Sequence, residues 1–564
     1  MVWKALREYE AVSAEPTTDA AAGTSARLAV DVRDFSWIRP LTGEYAYNFS
    51  SVAPLYAGDP ASDAAWHEAI SRADRHPRSR AEVAAIVAAQ QTRRGAPPPA
   101  HEASAQLAQP RTVAVVTGQQ AGAFGGPLFT LLKAVTAIQL ARKTSRDHGV
   151  PCVALFWVDS EDHDWDEVRS CTVLDPQFHP QTITLPPPEG AGELPVASLR
   201  LGHRIDQALA ELEAAFAQTE FTAPLMGQLH GAYQPGAGMA DAFAKLLESV
   251  LGSQGLIVFD SADPAAKPLV REVFRRELQE PGRTAALATA AGNALQARGH
   301  EPQVAPVPES LSLFHLDGVR RPIRRQGDDF LIGDTVCTLS TLAEEATNQP
   351  HRFSPNVLLR PIVQDTLFPT VCYVAGPSEL AYLGQLGGIY QSFGLPMPLM
   401  YPRATATLFD SGAARFLSKY QIPLTDLQPQ DESALNRLLE ALLPPSVEQA
   451  LKDAGDAVQQ TMQRVIDVMG ELDPTLVGAS RTTLGKMDHD LRSLYSKVIQ
   501  AAKRRDETLR RQFTRAQAQA FPLGQPQERV LGLVYFLNRY GPALVDHLIA
   551  DLPLDLGRHW VMTI

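Results

Sequence analysis

The sequence predicts an α/β protein with a parallel-sheet core and a C-terminal helical hairpin. Two apolar runs, at 113–116 and 153–158, each end in a cluster of glycine or polar residues, and a helical pattern follows the first run. Strand, loop and helix in this order form the unit from which parallel sheets are built. The hairpin is predicted because apolar residues recur at steps of three and four from Val447 onward.

Composition narrows the class of protein. The chain has 564 residues, enough for several domains, and its 63 acidic and 51 basic residues give a net charge of −12. This balance argues against general nucleic-acid binding, which needs a basic surface. No apolar run approaches the ~20 residues of a membrane helix, and the N-terminus lacks the apolar core of a signal peptide. We therefore expect a cytoplasmic protein without a membrane or nucleic-acid partner.

Four regions are predicted from these patterns and from the breaks between them. Residues 1–110 are expected to form a helical and irregular lead-in packed on the core. Residues 111–445 are expected to form the core, with a helical insertion at about 185–250 and a β-rich insertion at about 300–350. Residues 446–520 are predicted to be an antiparallel coiled-coil hairpin with a loop near 473–482. Residues 521–564 complete the chain as a helical segment that returns to the core.

The first candidate site is the glycine-rich loop after the first strand, within TVAVVTGQQAGAFGGPLF (112–129). It has neither the lysine of a P-loop nor the G-x-G-x-x-G spacing of a dinucleotide-binding loop. Backbone N–H groups at the helix start and two glutamine amides could bind a nucleotide or a carboxylate. The alternative is a tight turn with structural glycines, and Lys133 is expected to face outward. The candidate binding residues are Gly118, Gln119, Gln120, Gly122, Gly125 and Gly126.

The second candidate site is the acidic cluster EDHDWDE (161–167) that follows the next strand. Its carboxylates and histidine would lie beside the glycine-rich loop, because parallel strands end at the same edge of a sheet. His163, with Asp162 or Asp164 orienting it, could act as acid, base or charge clamp, and Glu161 could bind substrate. One metal cannot easily take three adjacent residues of an extended segment, which point to alternate sides, so no metal is expected.

Together with VAGPSELAYLGQL (374–386), these two blocks resemble the bacillithiol biosynthesis cysteine-adding enzyme family along nearly the whole chain. The resemblance implies a Rossmann-like core with connecting insertions and a coiled coil through which two chains form a homodimer. It implies a cysteine ligase that joins cysteine to glucosaminyl-malate through an amide bond. The two substrates are thus the expected small-molecule partners.

Further candidate substrate- or nucleotide-binding residues lie in and around the third block. A helix start there would carry Gly376, Ser378 and Glu379, with Tyr382 one turn further along. Arg360 and Arg403 could grip the malate carboxylates, because guanidinium binds carboxylate in a bidentate manner. Ion pairs are the alternative for both arginines. The basic run of Arg320, Arg321, Arg324 and Arg325 is expected to be a solvated face, with steering of an anionic substrate as the alternative.

The cofactor is not identified by the sequence. Forming an amide requires carboxyl activation, which makes ATP or ADP the candidate nucleotide. Class I nucleotidyl-transfer enzymes carry histidines in the first loop, and none occurs between Arg111 and Asp147. Two other functions stay open: a metal-assisted hydrolase that uses the acidic cluster, and a non-catalytic nucleotide-binding coiled-coil scaffold.

Overall fold

The computed structural model describes residues 27–443, 445–505 and 507–564. The described residues form two compact units, one comprising 27–408 together with 527–564, and the other lying within 409–526. No helix within the described ranges combines the length and the apolar character that crossing a bilayer requires.

The first unit begins with helices that precede the parallel sheet. The elements up to residue 260 are β1 (Arg27–Asp31), α1 (Pro40–Tyr47), α2 (Phe49–Val52), α3 (Asp63–Arg75), α4 (Arg80–Arg94), α5 (Pro98–Leu107), β2 (Val113–Gln120), α6 (Leu128–His148), β3 (Cys152–Asp159), α7 (Trp165–Val168), β4 (Ser170–Leu174), β5 (Pro180–Thr184), α8 (Ile205–Ala215), α9 (Thr222–Ala232), α10 (Met239–Leu251) and β6 (Ile257–Asp260).

The chain then passes through a small antiparallel sheet before it returns to the parallel sheet. The elements up to residue 409 are α11 (Lys267–Gln279), α12 (Arg283–Gln296), β7 (Ser310–Leu316), β8 (Arg320–Gln326), β9 (Asp329–Ile332), β10 (Thr335–Cys337), α13 (Leu339–Asn348), β11 (Phe353–Pro355), α14 (Arg360–Leu367), β12 (Thr370–Ala375), α15 (Leu380–Leu383), α16 (Gly387–Phe393), β13 (Leu399–Pro402) and β14 (Thr405–Phe409).

The helical unit and the C-terminal segment complete the chain. Their elements are α17 (Ser411–Tyr420), α18 (Ser433–Ala441), α19 (Pro445–Leu472), α20 (Leu476–Arg505), α21 (Glu507–Ala520), α22 (Gln527–Val530), α23 (Leu533–Tyr540), α24 (Ala543–Asp551) and β15 (Arg558–Thr563).

The core is a five-stranded parallel sheet with the strand order β13-β12-β2-β3-β6. Both of its faces are buried, since alternate residues of β2 enter different apolar clusters: Val113 and Val115 pack on one side, Ala114 and Val116 on the other. The order of strands reverses between β2 and β12, and such a switch point opens a crevice at the carboxyl ends of the strands. The predicted parallel-sheet fold class is confirmed.

The β-rich insertion forms a separate five-stranded sheet, β10-β9-β8-β7-β11, with antiparallel neighbours. At the ends of the chain the structure differs from the expectation of helical segments. β15 pairs with β1 in an antiparallel arrangement, from Arg27 opposite Met562 to Asp31 opposite Arg558. These strands are short and meet only in the folded chain, so neither stands out locally.

The helical unit contains the predicted hairpin, in which α19 and α20 pack against each other. The break between them is shorter than the loop expected near 473–482. Helix α20 already begins at Leu476. Asp473 organises the tight turn before it by accepting hydrogen bonds from the amide (2.9 Å) and hydroxyl (2.8 Å) of Thr475.

Candidate active site

The candidate active site is the carboxyl-end edge of the parallel sheet around the switch point between β2 and β12. Thr117 lies in register with Val374 across this boundary, so the glycine-rich loop and the third block leave the sheet side by side. Gly118 lies in register with Trp157 on the other side, which places the acidic cluster next to the same loop. All three sequence blocks therefore meet at one edge.

The glycines of the first loop are closely packed by the protein itself. A Cβ on Gly118 would lie 2.8 Å from the carbonyl oxygen of Trp157, and one on Gly122 would lie 2.9 Å from Cα of Gly126. Gly126 has φ of +69°, a conformation that favours glycine. The first amide of α6, on Leu128, donates to the carbonyl of Leu531 at 2.8 Å, so this N–H is not free for an anion. A tight turn packed by the protein itself, the alternative to a ligand-binding loop, therefore accounts for these glycines.

Lys133 does not face outward as expected but points back into the site. Its buried Nζ donates to the Gly118 carbonyl at 2.9 Å and to Gln119 Oε1 at 3.1 Å, and it pairs with Glu379 Oε2 at 2.9 Å. Burial lowers the pKa of Lys133, while Glu379 opposes that shift. The lysine thus links the loop after β2 to the third block.

The third block forms a short turn of 3₁₀ helix from Pro377 to Glu379 ahead of α15. The Glu379 carboxylate accepts the Gly376 N–H as well as the lysine, which fixes the turn against β2. Ser378 lies at the edge of this turn, with its hydroxyl 3.5 Å from a nitrogen of Arg529. The predicted residues of this block are therefore brought to the switch point.

Arg360 lies beneath this turn, buried with its guanidinium between aromatic hydroxyls. Nη2 lies 3.3 Å from the Tyr382 hydroxyl and 3.5 Å from the Tyr373 hydroxyl, and Nε lies 3.8 Å from Asp159. Burial raises the pKa of Asp159, and Arg360 opposes that shift. Nη1 donates to Gln364 Oε1 at 3.2 Å. Among the residues that the structure describes, Arg360 has no bidentate carboxylate partner and therefore keeps the capacity to bind one.

Arg403, by contrast, already has a bidentate carboxylate partner. Its two terminal nitrogens donate to the two carboxylate oxygens of Glu528 at 2.8 and 2.7 Å, and both side chains are buried. Burial opposes ionisation of Glu528, but Arg403 lowers its pKa. The alternative of an ion pair applies to this arginine, and it connects the core to the C-terminal segment.

Within the acidic cluster, Glu161 is also occupied by a protein partner. Its carboxylate pairs with Lys267 of α11, and both side chains are buried. Lys267 donates in addition to the carbonyl of Phe353 at 3.2 Å. Burial raises the pKa of Glu161, and Lys267 opposes that shift. This pair holds the loop after β3 against α11 and the inserted sheet.

Asp162 and His163 form the polar centre of the cluster. Asp162 accepts hydrogen bonds from the Gln120 amide at 2.7 Å and from the backbone N–H of His163 at 2.8 Å. Burial opposes its ionisation, but these hydrogen bonds and Arg320 lower its pKa. Gln120 also donates to Glu167 at 2.9 Å, so one amide separates two carboxylates.

Arg320 belongs to this centre and not to a solvated face, which corrects the expectation for one member of the basic run, whereas Arg321, Arg324 and Arg325 are exposed as expected. It is buried on the inserted sheet, donates to the Pro355 carbonyl at 3.0 Å, and lies 3.5 Å from Asp162 and 3.2 Å from Nδ1 of His163. Arginine only donates, so Nδ1 of His163 is the acceptor in this contact and Nε2 carries the hydrogen. The imidazole, 42% exposed, therefore offers an N–H.

Asp164 has a local structural task. It is exposed, and its carboxylate caps α7 by accepting the backbone N–H of Glu167 at 3.1 Å. Because Asp164 is committed to this cap, the Asp-His-Asp run does not converge on one point.

Sequence reasoning missed Lys133, Asp159 and Arg320, whose roles depend on contacts between distant segments.

Comparison with known proteins identifies the family. The models "Bacillithiol biosynthesis BshC, N-terminal Rossmann-like domain" and "C-terminal coiled-coil domain" match residues 28–404 and 406–564. A Salinibacter ruber protein named "Putative cysteine ligase BshC" is 34% identical over 92% of this chain and 95% of its own length. Proteins of the same name from Koribacter versatilis and Chlorobaculum tepidum are both 33% identical, over 84% and 78% of this chain and 88% and 81% of their own lengths. The chain therefore belongs to the BshC family, as its sequence motifs predicted.

Proposed function

We propose that this protein is a ligase of bacillithiol biosynthesis that joins the carboxyl group of cysteine to the amine of glucosaminyl-malate. The observation that carries the proposal is the convergence of buried cations, carboxylates and an imidazole N–H at the switch point of the sheet. The relatives are named as cysteine ligases, which supports the same reaction class.

The binding groups suit two zwitterionic or anionic reactants. We assign Arg360 to a malate carboxylate, because it is buried, cationic and without a bidentate carboxylate partner in the described part of the chain. The N–H of His163 suits the carbonyl oxygen of cysteine, which becomes more negative as the amine attacks.

Amide formation also needs a base for the attacking amine. We assign this role to Asp159, which lies at the end of β3 with its side chain 32% exposed. Burial raises the pKa of Asp159, which makes it a stronger base than an exposed carboxylate. The amine nitrogen forms the new bond to the carbonyl carbon, its proton passes to Asp159, and the group that activated the carboxyl leaves.

The residues around the glycine-rich loop do not fit a phosphate-binding loop. Gly118 and Gly122 are filled by neighbouring atoms, and the first amide of α6 is taken by Leu531. We therefore assign no step to ATP or ADP at this loop, and the requirement for a nucleotide is left to experiment.

The test is a reconstitution with purified protein, cysteine and glucosaminyl-malate, with and without ATP, read by mass spectrometry. Product that is lost in the His163→Ala variant supports the ligase proposal and locates the site. His179→Ala is the matched control, since it removes an exposed histidine outside the site. Absence of product under every nucleotide and metal condition contradicts the proposal. Inhibition by a chelator would favour the hydrolase, and an intact biological output in Asp162→Ala and His163→Ala would favour the scaffold.

We further propose that the protein works as a cytoplasmic homodimer joined through the hairpin. Several large apolar side chains on α19 and α20 are exposed in the single chain, and a second copy would cover them. They are Val468, Leu472, Leu476, Met487 and Leu494.

A further inference from the structure

A second cluster of chemically active side chains lies at the opposite edge of the parallel sheet. Asp63 and His67 are one turn apart on α3, and His148 is the last residue of α6. Helix α6 begins at the site and runs away from it. His148 lies 15 positions after Lys133 on this helix, which corresponds to about 22 Å at 1.5 Å per residue. The cluster is therefore separate from the candidate active site.

The three side chains bring metal-ligand atoms close together. His67 Nε2 lies 3.5 Å from Asp63 Oδ2, and His148 Nε2 lies 3.8 Å from Asp63 Oδ1. One ligand atom from each residue fits within 4.8 Å of the other two. Ligands at about 2.0–2.1 Å around a tetrahedral ion are roughly 3.3 Å apart, so small side-chain rotations would bring all three onto one ion.

His148 gives an independent indication of a ligand. Its side chain is only 6% exposed, stacked against Trp66 with the rings 18° from parallel. Nε2 is the ring nitrogen nearest Asp63, and at 3.8 Å from Oδ1 it makes no hydrogen bond to that carboxylate. The buried ring is thus held with Nε2 toward the other two side chains, which leaves this nitrogen available to a ligand.

We propose that Asp63, His67 and His148 bind one divalent transition-metal ion, with zinc the best match. Imidazole and carboxylate are ligands of zinc, and residues four apart on a helix lie on the same face. Water would fill the fourth position, because Asp63 and His67 are exposed on the solvent side. The ion would tie α3 to the end of α6.

The experiment measures zinc binding to full-length protein without a histidine tag, by competition with a chromophoric chelator. Cobalt substitution, read by visible absorption, reports the coordination geometry. The variants are Asp63→Asn and His67→Gln, which change exposed side chains and leave the buried His148 in place. His179→Gln is the matched control. His179 follows Asp175 by four positions, as His67 follows Asp63, and pairs with it at 3.7 Å, but the described residues add no third ligand to this pair.

We expect one zinc ion per chain, a thermal midpoint that rises with zinc, and an affinity at least about tenfold weaker in both variants. The control should bind like the unmodified protein. The proposal is overturned if the unmodified protein does not bind zinc, or if Asp63→Asn and His67→Gln bind it equally well. Neither result bears on the ligase proposal, because the two sites share no residue.

Discussion

Lys133 shows how one residue organises the candidate active site. It is the single charged residue between Leu128 and Ala141 of α6, a stretch that is otherwise largely apolar. A helix that is apolar on all sides is buried, so a lysine within it must find acceptors inside the protein. It finds them in the loop after β2 and in Glu379, and thereby sets the distance between two of the three sequence blocks.

We predict that Lys133→Met lowers ligase turnover by at least about 100-fold, because the two loops lose their shared cation and misplace the reactants. Methionine fills similar space, so the variant should still fold. Lys143→Met is the control, since Lys143 lies on the exposed part of the same helix and pairs with Asp147 one turn away. Steady-state kinetics and circular dichroism on both variants check this, and full turnover in Lys133→Met would contradict the assigned role.

Arg320 and Arg324 provide a second comparison on one strand. Arg320 is buried against Asp162 and His163, whereas Arg324 is exposed. We predict that Arg320→Ala lowers kcat/KM by about 10- to 100-fold, the value of one or two hydrogen bonds to charged groups. Arg324→Ala should leave it within about twofold. Equal losses in both variants would show that the inserted sheet acts by general charge and not through Arg320.

At the scale of elements, local sequence patterns predicted those strands, loops and helices that are determined by contacts between residues close in the chain. The strands β2 and β3 and their polar loops follow from apolar runs and glycines, and the seam of the hairpin follows from its spacing. The burial of Arg320 depends on how the inserted sheet docks on the loop after β3, and the pairing of β1 with β15 joins the two ends of the described chain. No short window of sequence contains that information.

The strand β15 carries a buried histidine that predicts a pH dependence of stability. His559 lies 2.9 Å from the Thr407 hydroxyl, and burial lowers its pKa from 6.5 to about 4. The unfolded chain therefore binds a proton that the native chain excludes. Stability is fully present above about pH 6.5 and falls as the pH drops toward 4, by about 3 kcal/mol.

The variant His559→Gln tests this, because glutamine does not titrate and can still bond to Thr407. We expect the free energy of unfolding of the unmodified protein to fall more steeply than that of the variant between pH 6.5 and 4, measured by urea denaturation. Parallel pH profiles for the two proteins would assign the acid sensitivity to other groups.

At the scale of the whole molecule, the candidate site is assembled from segments far apart in the chain. Lys133 and Glu379 are separated by 246 positions and Asp162 and Arg320 by 158, yet each pair meets within 3.5 Å. The Arg403–Glu528 pair similarly joins the core to the C-terminal segment. The site therefore exists only when the sheet, the insertion and the C-terminal segment are all in place.

Dimer formation is the property of the whole molecule that the hairpin predicts. Val468 and Leu472 lie one turn apart on α19 and are 63% and 76% exposed. Full burial of such a side chain stabilises by about 1.5–3 kcal/mol. In a two-fold interface each residue is buried in both chains, so its contribution occurs twice. We predict that the double variant Val468→Glu/Leu472→Glu weakens dimerisation by at least about 100-fold, measured by light scattering over a range of concentrations. Glu471→Lys, which changes charge at a neighbouring exposed position, should stay dimeric. A monomeric unmodified protein, or a double variant as dimeric as the unmodified protein, would remove the hairpin as the interface.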